Sequence, residues 1–371
     1  MTTIKDIYPF ADWNPTGERP MLILGPCSAE YEEQLFTTAR EIKELGRPFL
    51  LRAGIWKPRT RPGSFEGKGE EALQWLASVK EELQIPVTTE VANAEHVELC
   101  LKYGVDALWI GARTTVNPFS VQEIADALQG VDIPVFVKNP IHPDMGLWIG
   151  ALERINRAGV NKLGAIHRGF HYQDNYPYRN LPNWELAIEM KTRLPELPII
   201  CDVSHIAGDP EIIPRVAQRA MDLYMDGLLI ETHFRPEEAL SDARQQVTPT
   251  HLSRILENLE IREPSTGDAH FTDEIQRLRA RIDNIDESLM ELLSERMKVV
   301  EEIGFKKKEQ NVTIFQLERW LEIMENYMQW GSQLELRDEF IQRFLEALHL
   351  ESIEIQQQVM NSQLDEDQSK V

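Results

Sequence analysis

From residue 20 to about residue 260 one unit recurs along the chain. A short apolar run rich in β-branched residues is followed by a loop, then by a stretch whose apolar residues return every three or four positions. Eight such runs are present: "MLIL" (21–24), "PFLLRA" (48–53), "PVTTE" (86–90), "ALWIGA" (107–112), "PVFVK" (134–138), "KLGAIH" (162–167), "LPIICDV" (197–203) and "GLLIE" (227–231). The stretches between them, among them "SAEYEEQLFTTAREIKEL", "NAEHVELCLKYG" and "DPEIIPRVAQRAMDLYM", read as amphipathic helices. The runs are continuously apolar rather than alternating, as strands buried on both faces are. Eight strand–helix alternations within about 250 residues predict an α/β fold, a closed (β/α)8 barrel of the TIM type.

After Glu260 the pattern breaks. "IREPSTGDAH" carries Pro, Ser, Thr and Gly without apolar periodicity and reads as a linker, so the expected organisation is a barrel over 1–262, a linker over 263–271, a helical domain over 272–362 and a disordered tail over 363–371. Thr272 is the expected N-cap, with Asp273 and Glu274 in the first turn. Ile275, Leu278, Ile282, Ile285, Leu289 and Leu292 then form an apolar row at alternating spacings of three and four, which would continue through position 296 to Val299 and Ile303, on a helix of about 35 residues and about 50 Å. A second helix is expected around 315–330 and a third from about Asp338 to Met360, giving an all-α, three-helix module. One copy cannot bury so long a stripe, which predicts a homodimer through the helical domain and leaves open a higher assembly.

Two rows are interrupted by polar residues. In the first helix a core position is Arg296, with Arg279 and Lys307 near the same face; in the third, the row Ile341, Leu345, Leu348, Ile355, Val359 is broken by Ser352 with Gln356 beside it. An unpaired arginine in a bundle core costs several kcal/mol, so Arg296 needs an anionic partner, either an interhelical glutamate or a ligand.

The formal net charge of −22 repels nucleic-acid phosphate, and no run reaches the roughly 20 apolar residues of a membrane span. The N-terminus "MTTIKDIYPF" lacks the basic and apolar regions of a signal peptide. Cys27, Cys100 and Cys201 are odd in number and far apart, which argues against a disulfide framework and for a reducing, cytoplasmic setting.

Barrel active sites lie at the C-terminal ends of the strands, so what each strand delivers there is informative. The eight deliver, in order, Cys27; Arg52 with Lys57, Arg59 and Thr60; Glu90; Arg113; Lys138; His167 and Arg168; Asp202 and His205; and Glu231 and His233. Taken singly, each has a structural explanation. Together, five or more cations on one face of an acidic protein repel one another unless an anion lies between them, and phosphate suits that geometry. A second set, Cys27, His205, Glu231 and Asp242, joins thiolate, imidazole and carboxylate donors. It suits a divalent transition metal such as Mn, Fe, Co or Zn; a buried thiol, a capping His and two surface acids is the competing reading.

The motifs "GPCSAE", "LRAGIWKPRTRPGSFEGKG", "GARTTVN", "VFVKNP", "IHRGF", "CDVSH" and "IETHFRPEEALSDARQ" resemble those of the type I, β-subfamily 3-deoxy-D-arabino-heptulosonate 7-phosphate (DAHP) synthases over nearly all of residues 20–260. The resemblance implies condensation of phosphoenolpyruvate with erythrose 4-phosphate, the first step of aromatic amino-acid (shikimate pathway) biosynthesis. It further implies metal ligands at Cys27, His205, Glu231 and Asp242. Phosphoenolpyruvate contacts would fall at Arg52, Lys57, Arg113, Lys138 and Arg168, and erythrose phosphate contacts at Arg59 and Thr60. Lys57 is a candidate proton donor. Related enzymes making an eight-carbon sugar acid carry a "KANRS"-like loop where this chain has "KPRT".

Residues 272–360, with "LRARIDNIDESLMELLSERMKVVEEIGFKKK" and "ESIEIQQQ", resemble the all-α, intertwined-dimer (AroQ-type) chorismate mutases. This implies rearrangement of chorismate to prephenate without metal or nucleophile, with Arg279, Arg296, Lys307, Gln316, Arg319, Ser352 and Gln356 at binding positions and Arg279 crossing from the partner chain. Where that family often has Asp and Glu before and after the shared arginine, this chain has Gln316 and Trp320. Trp cannot accept a hydrogen bond from a substrate hydroxyl as a carboxylate would. The expected protein is therefore bifunctional; the alternative is a synthase whose helical domain chiefly dimerises and senses chorismate or prephenate.

Overall fold

The structure is a computed structural model describing residues 4–58, 63–173 and 177–362. The chain divides between Pro264 and Ser265 into two compact units. In the first, strands β1 (Met21–Gly25), β2 (Leu50–Arg52), β3 (Val87–Val91), β4 (Ala107–Ile110), β5 (Val135–Lys138), β6 (Leu163–His167), β7 (Ile199–Asp202) and β8 (Gly227–Glu231) close in sequence order into a barrel. All neighbours are parallel, and β8 returns to β1 in a register that sets Gly25 beside Glu231.

Every apolar run becomes a strand, its ends shifted by a few residues where the chain turns. "ALWIGA" stops at Ile110 because Gly111 opens the short helix Ala112–Thr115. Alternation within each run sorts the side chains. Met21, Ile23, Leu50, Trp109, Phe136, Ile200 and Leu229 fill the interior, while Leu22, Leu24, Leu51 and Leu108 face the helices outside. Trp13, from the N-terminal turn Phe10–Trp13, joins the interior cluster with its ring 5.7 Å from that of Phe136. Gly25 has a φ of +140°, and a Cβ on it would run into the carbonyl of Arg52. A side chain at 25 would thus push apart the strands that carry Cys27 and Arg52.

The second unit has three helices: Ala269–Glu309, Leu317–Gln333 and Asp338–Asn361. The first is 41 residues long and begins before the expected cap, because Asp268 reaches two free amides, those of His270 (2.9 Å) and Phe271 (3.2 Å). Thr272 lies inside the helix, its hydroxyl turned back to the Asp268 carbonyl. The C-terminal part of this helix packs on the third through Val300 and Gly304, opposite Gln356 and Val359. Toward its N-terminus the apolar row stays bare: Leu278, Ile282, Ile285, Leu289 and Leu292 are between 45% and 63% exposed. No helix among the described residues is long and apolar enough to cross a membrane.

Candidate active sites

At the C-terminal ends of the barrel strands lies a cavity of about 410 Å³, lined among the described residues by Lys57, Glu90, Arg113, Lys138, Arg168, Arg179, His205 and Asp242, with smaller contributions between them. Beneath it Cys27, Arg52, Asp202 and Glu231 are fully buried. Arg59 and Thr60 lie outside the described residues.

Cys27 sits on the turn after β1, its amide donating to Gln246 Oε1 (3.0 Å) and its carbonyl accepting from both Arg52 (2.9 Å) and Lys57 (3.1 Å). Its Sγ is 3.1 Å from Lys57 Nζ and 3.5 Å from Asp242 Oδ2. The Cys27, Glu231 and Asp242 donor atoms all lie within 4.8 Å of one another. His205, the fourth residue of that set, stands beside it, its Nδ1 3.9 Å from Glu231 Oε1 and 3.0 Å from Asp202 Oδ2. Nδ1 is thus held by the Asp202 carboxylate, and burial foremost lowers the pKa of the ring. Burial, then Glu231, pushes the Cys27 thiol up to about 12. One soft donor, the thiol, and two carboxylates thus crowd into one spot. That is a donor set a divalent transition ion fits.

Asp202 is the residue the sequence reading placed at a strand end without a role. It ends β7, caps the helix Val203–Ala207 by accepting from the His205 amide, and pairs with both Lys138 Nζ (2.7 Å) and His205. Burial opposes its charge, but His205 and Lys138 overcome that and hold the carboxyl well below its ordinary 3.8. Its stabilising effect is therefore complete above pH 3.8 and lost as pH falls through the lower folded value. Asp202→Asn would leave the Lys138 ammonium buried without its counter-charge, so a loss of roughly 3–5 kcal/mol is expected, read as a lowered thermal midpoint at pH 7. The acid limb of the stability profile should shrink with it.

Three further residues of the site were not among those expected from the strand ends. Gln245 Nε2 donates to Glu231 Oε2 (2.5 Å), Gln246 holds the Cys27 amide, and Arg179 pairs with Asp242 Oδ1 (3.1 Å) and with Gln245. Glu231 also binds Arg52 at 2.6 Å. Two strand-end histidines are not part of the site. His167 is buried among Trp148, Phe170 and Trp184, where burial pushes its pKa down to about 4, and His233 stacks on Phe234 and accepts from the Arg235 amide.

Arg168 registers the charge of the cavity most sharply. Burial lowers its pKa to about 10; Asp202 opposes the fall, while Arg179 and Arg113 add to it. Guanidiniums packed this closely relax when an anion enters.

Residues 13–263 match the family model described as DAHP synthetase I family. The chain belongs to that family. Among its relatives, the phospho-2-dehydro-3-deoxyheptonate aldolase of Thermotoga maritima is 31% identical over 61% of this chain, which spans 64% of that relative's length. A 2-dehydro-3-deoxyphosphooctonate aldolase of Polaromonas naphthalenivorans is 30% identical over 64% of this chain and 88% of its own. The crystal structure of the Thermotoga maritima DAHP synthase superposes with a TM-score of 0.58 at 28% identity, covering 64% of this chain and 67% of that one. Residues 278–357 match chorismate mutase type II, so this member of the family carries a mutase domain that follows the barrel in sequence.

In the mutase domain, Arg296 donates to Ser352 Oγ (3.0 Å), which in turn donates to the Leu348 carbonyl. Gln356 Nε2 donates to the Ser352 carbonyl and Lys307 Nζ to that of Ile314 (2.6 Å). Arg296, Lys307, Ser352 and Gln356 are partly or fully buried; Arg279, Gln316 and Arg319 are exposed, and Arg319 pairs with Glu322. Arg279 precedes Arg296 by 17 residues on a continuous helix, about 25 Å along its axis.

Proposed function

We propose that the barrel condenses phosphoenolpyruvate with erythrose 4-phosphate to DAHP and phosphate, and that the helical domain rearranges chorismate to prephenate. The observation that carries the first is the crowd of Arg113, Arg168 and Arg179 around one cavity, with the Cys27–Glu231–Asp242 donor set at its edge. The two substrates bring about five negative charges into contact, and without that many fixed cations they would repel each other.

Arg113, Lys138 and Arg168 hold the phosphate and carboxylate of phosphoenolpyruvate, and Arg59 and Thr60 the phosphate of the sugar. Cys27, His205, Glu231 and Asp242 hold the metal. When bound, a divalent ion supplies Lewis acidity to the sugar aldehyde. Carbon 3 of phosphoenolpyruvate bonds to the aldehyde carbon, water adds at carbon 2, and phosphate leaves. Lys57 gives a proton to the new alkoxide. Burial disfavours its ammonium, but Cys27 and Glu231 outweigh that and carry its pKa above the ordinary lysine value, so it is charged and loaded. The "KPRT" loop supports the four-carbon acceptor over the five-carbon one that an octonate product requires.

In the mutase, Arg296 and an Arg279 from a second copy would take the substrate carboxylates, with Arg319 and Ser352 at binding positions, while Lys307 and Gln356 bond the ether oxygen as charge develops there. Arg279 cannot reach the Arg296 of its own chain, so a second copy brings it, and the bare stripe is the surface that pairs the copies. Ile285→Asp, in the middle of that stripe, is expected to yield monomers by sedimentation and to remove mutase activity.

The test is a pair of assays on the full chain with and without chelator. Phosphate release should require phosphoenolpyruvate, erythrose 4-phosphate and metal, and should not occur with arabinose 5-phosphate. Chorismate should be converted in both conditions; no conversion would leave the helical domain as a dimerising sensor. The setting proposed is the cytoplasm.

A further inference from the structure

The face of the third helix that holds Ser352 and Gln356 carries one more polar residue. His349 precedes Ser352 by three positions and Gln356 by seven, a spacing that stacks all three on one side. Its ring lies nearly flat on Trp320, centroids 4.0 Å apart at 25°, and meets Phe315 edge-on at 5.9 Å. Its Nε2 is buried and has no hydrogen-bond partner among the described residues, and the same is true of Gln356 Oε1 two turns along. An unpaired buried polar atom costs about 1–3 kcal/mol. Two on one stripe are the mark of a surface completed by something that is not part of the fold.

The chemistry of the neighbours says what is lacking. Arg296 and Lys307 are donors only, and so is the indole N–H of Trp320. Burial, then the charge of Arg296, lowers the pKa of His349, so at neutral pH it is an uncharged imidazole able to accept at one nitrogen and donate at the other. The stack on Trp320 fixes its plane. A cyclohexadiene that carries two carboxylates, an ether oxygen and a ring hydroxyl has one group the cations do not serve, the hydroxyl.

We infer that His349, held flat by Trp320, is the hydrogen-bonding partner of the ring hydroxyl of the mutase substrate and sets specificity for it. The inference rests on the mutase reading above. It makes Trp320 a positioning residue where a carboxylate would itself be the acceptor.

The experiment compares full-chain wild type, His349→Phe and His349→Gln on chorismate and on a chorismate analogue with hydrogen in place of the ring hydroxyl. Wild type should prefer chorismate by 10- to 100-fold in kcat/KM. His349→Phe keeps the aromatic plane without its nitrogens, and should reduce that preference to under threefold by losing activity on chorismate alone. His349→Gln, with an amide near the same place, should recover part of it, and it carries the test if His349→Phe lowers the unfolding temperature. Unchanged discrimination in both variants, or equal losses on both substrates, overturns the inference and leaves the mutase reading standing. A wild type that converts neither substrate removes both.

Discussion

Replacing Cys27 with alanine is expected to lower metal-dependent release of phosphate from phosphoenolpyruvate by about 1,000-fold, the equivalent of roughly 4 kcal/mol of Lewis-acid stabilisation. The thiol is the one soft donor among the three that converge, and its Sγ touches Lys57 and Asp242 as well. Its loss would remove one donor of that set and leave Glu231 and Asp242 as the other two. Cys100→Ala is the control, because that cysteine is packed in the outer hydrophobic layer and is also buried and free. Titration with Mn2+ followed by electron spin resonance separates lost binding from lost chemistry: wild type should bind one ion per chain tightly and Cys27→Ala weakly. Equal binding by both proteins would remove Cys27 from the metal site.

The second large effect is at Arg296. Arg296→Ala is expected to reduce mutase kcat/KM by about 100- to 1,000-fold, the usual cost of removing one fixed donor from a site whose catalysis is electrostatic. Arg296 is placed for this by its donation to Ser352, itself tied to the Leu348 carbonyl, and by a longer contact to the Met297 sulfur. Ser352→Ala should therefore act more weakly, freeing the guanidinium without removing it. A thermal midpoint for Arg296→Ala within a few degrees of wild type would show that the loss is not one of folding. Retention of full mutase activity would return Arg296 to the role of an ordinary interhelical cation.

The elements of this fold are written locally. Eight continuous apolar runs and their intervening amphipathic stretches become strands and helices because burial on both faces needs only neighbours in sequence to be apolar. The bare stripe of the long helix and the distance between Arg279 and Arg296 are equally local, since a helix advances by a constant rise. One local choice was closer than the sequence suggested. Asp268 and Thr272 are both capping residues, and the helix starts at the one whose side chain reaches two free amides.

Strand ends show which polar residues are available, not which of them meet. His167 and Arg168 are adjacent in sequence, yet one faces the outer aromatic layer and the other the cavity, because successive side chains leave a strand on opposite sides. Only closure of β8 on β1 brings Glu231 to Cys27, and only the packing of loops after β6 and β8 brings Arg179 and Gln245 to Asp242 and Glu231. The sequence alone determined the barrel, the helical module and the residue types at the sites. The tertiary structure decided that Asp202 serves Lys138 and His205 at once, and that His349 lies on Trp320. Periodicity reports which way a side chain leaves its own backbone; contacts between segments tens of residues apart are set by chain closure, which no local pattern encodes.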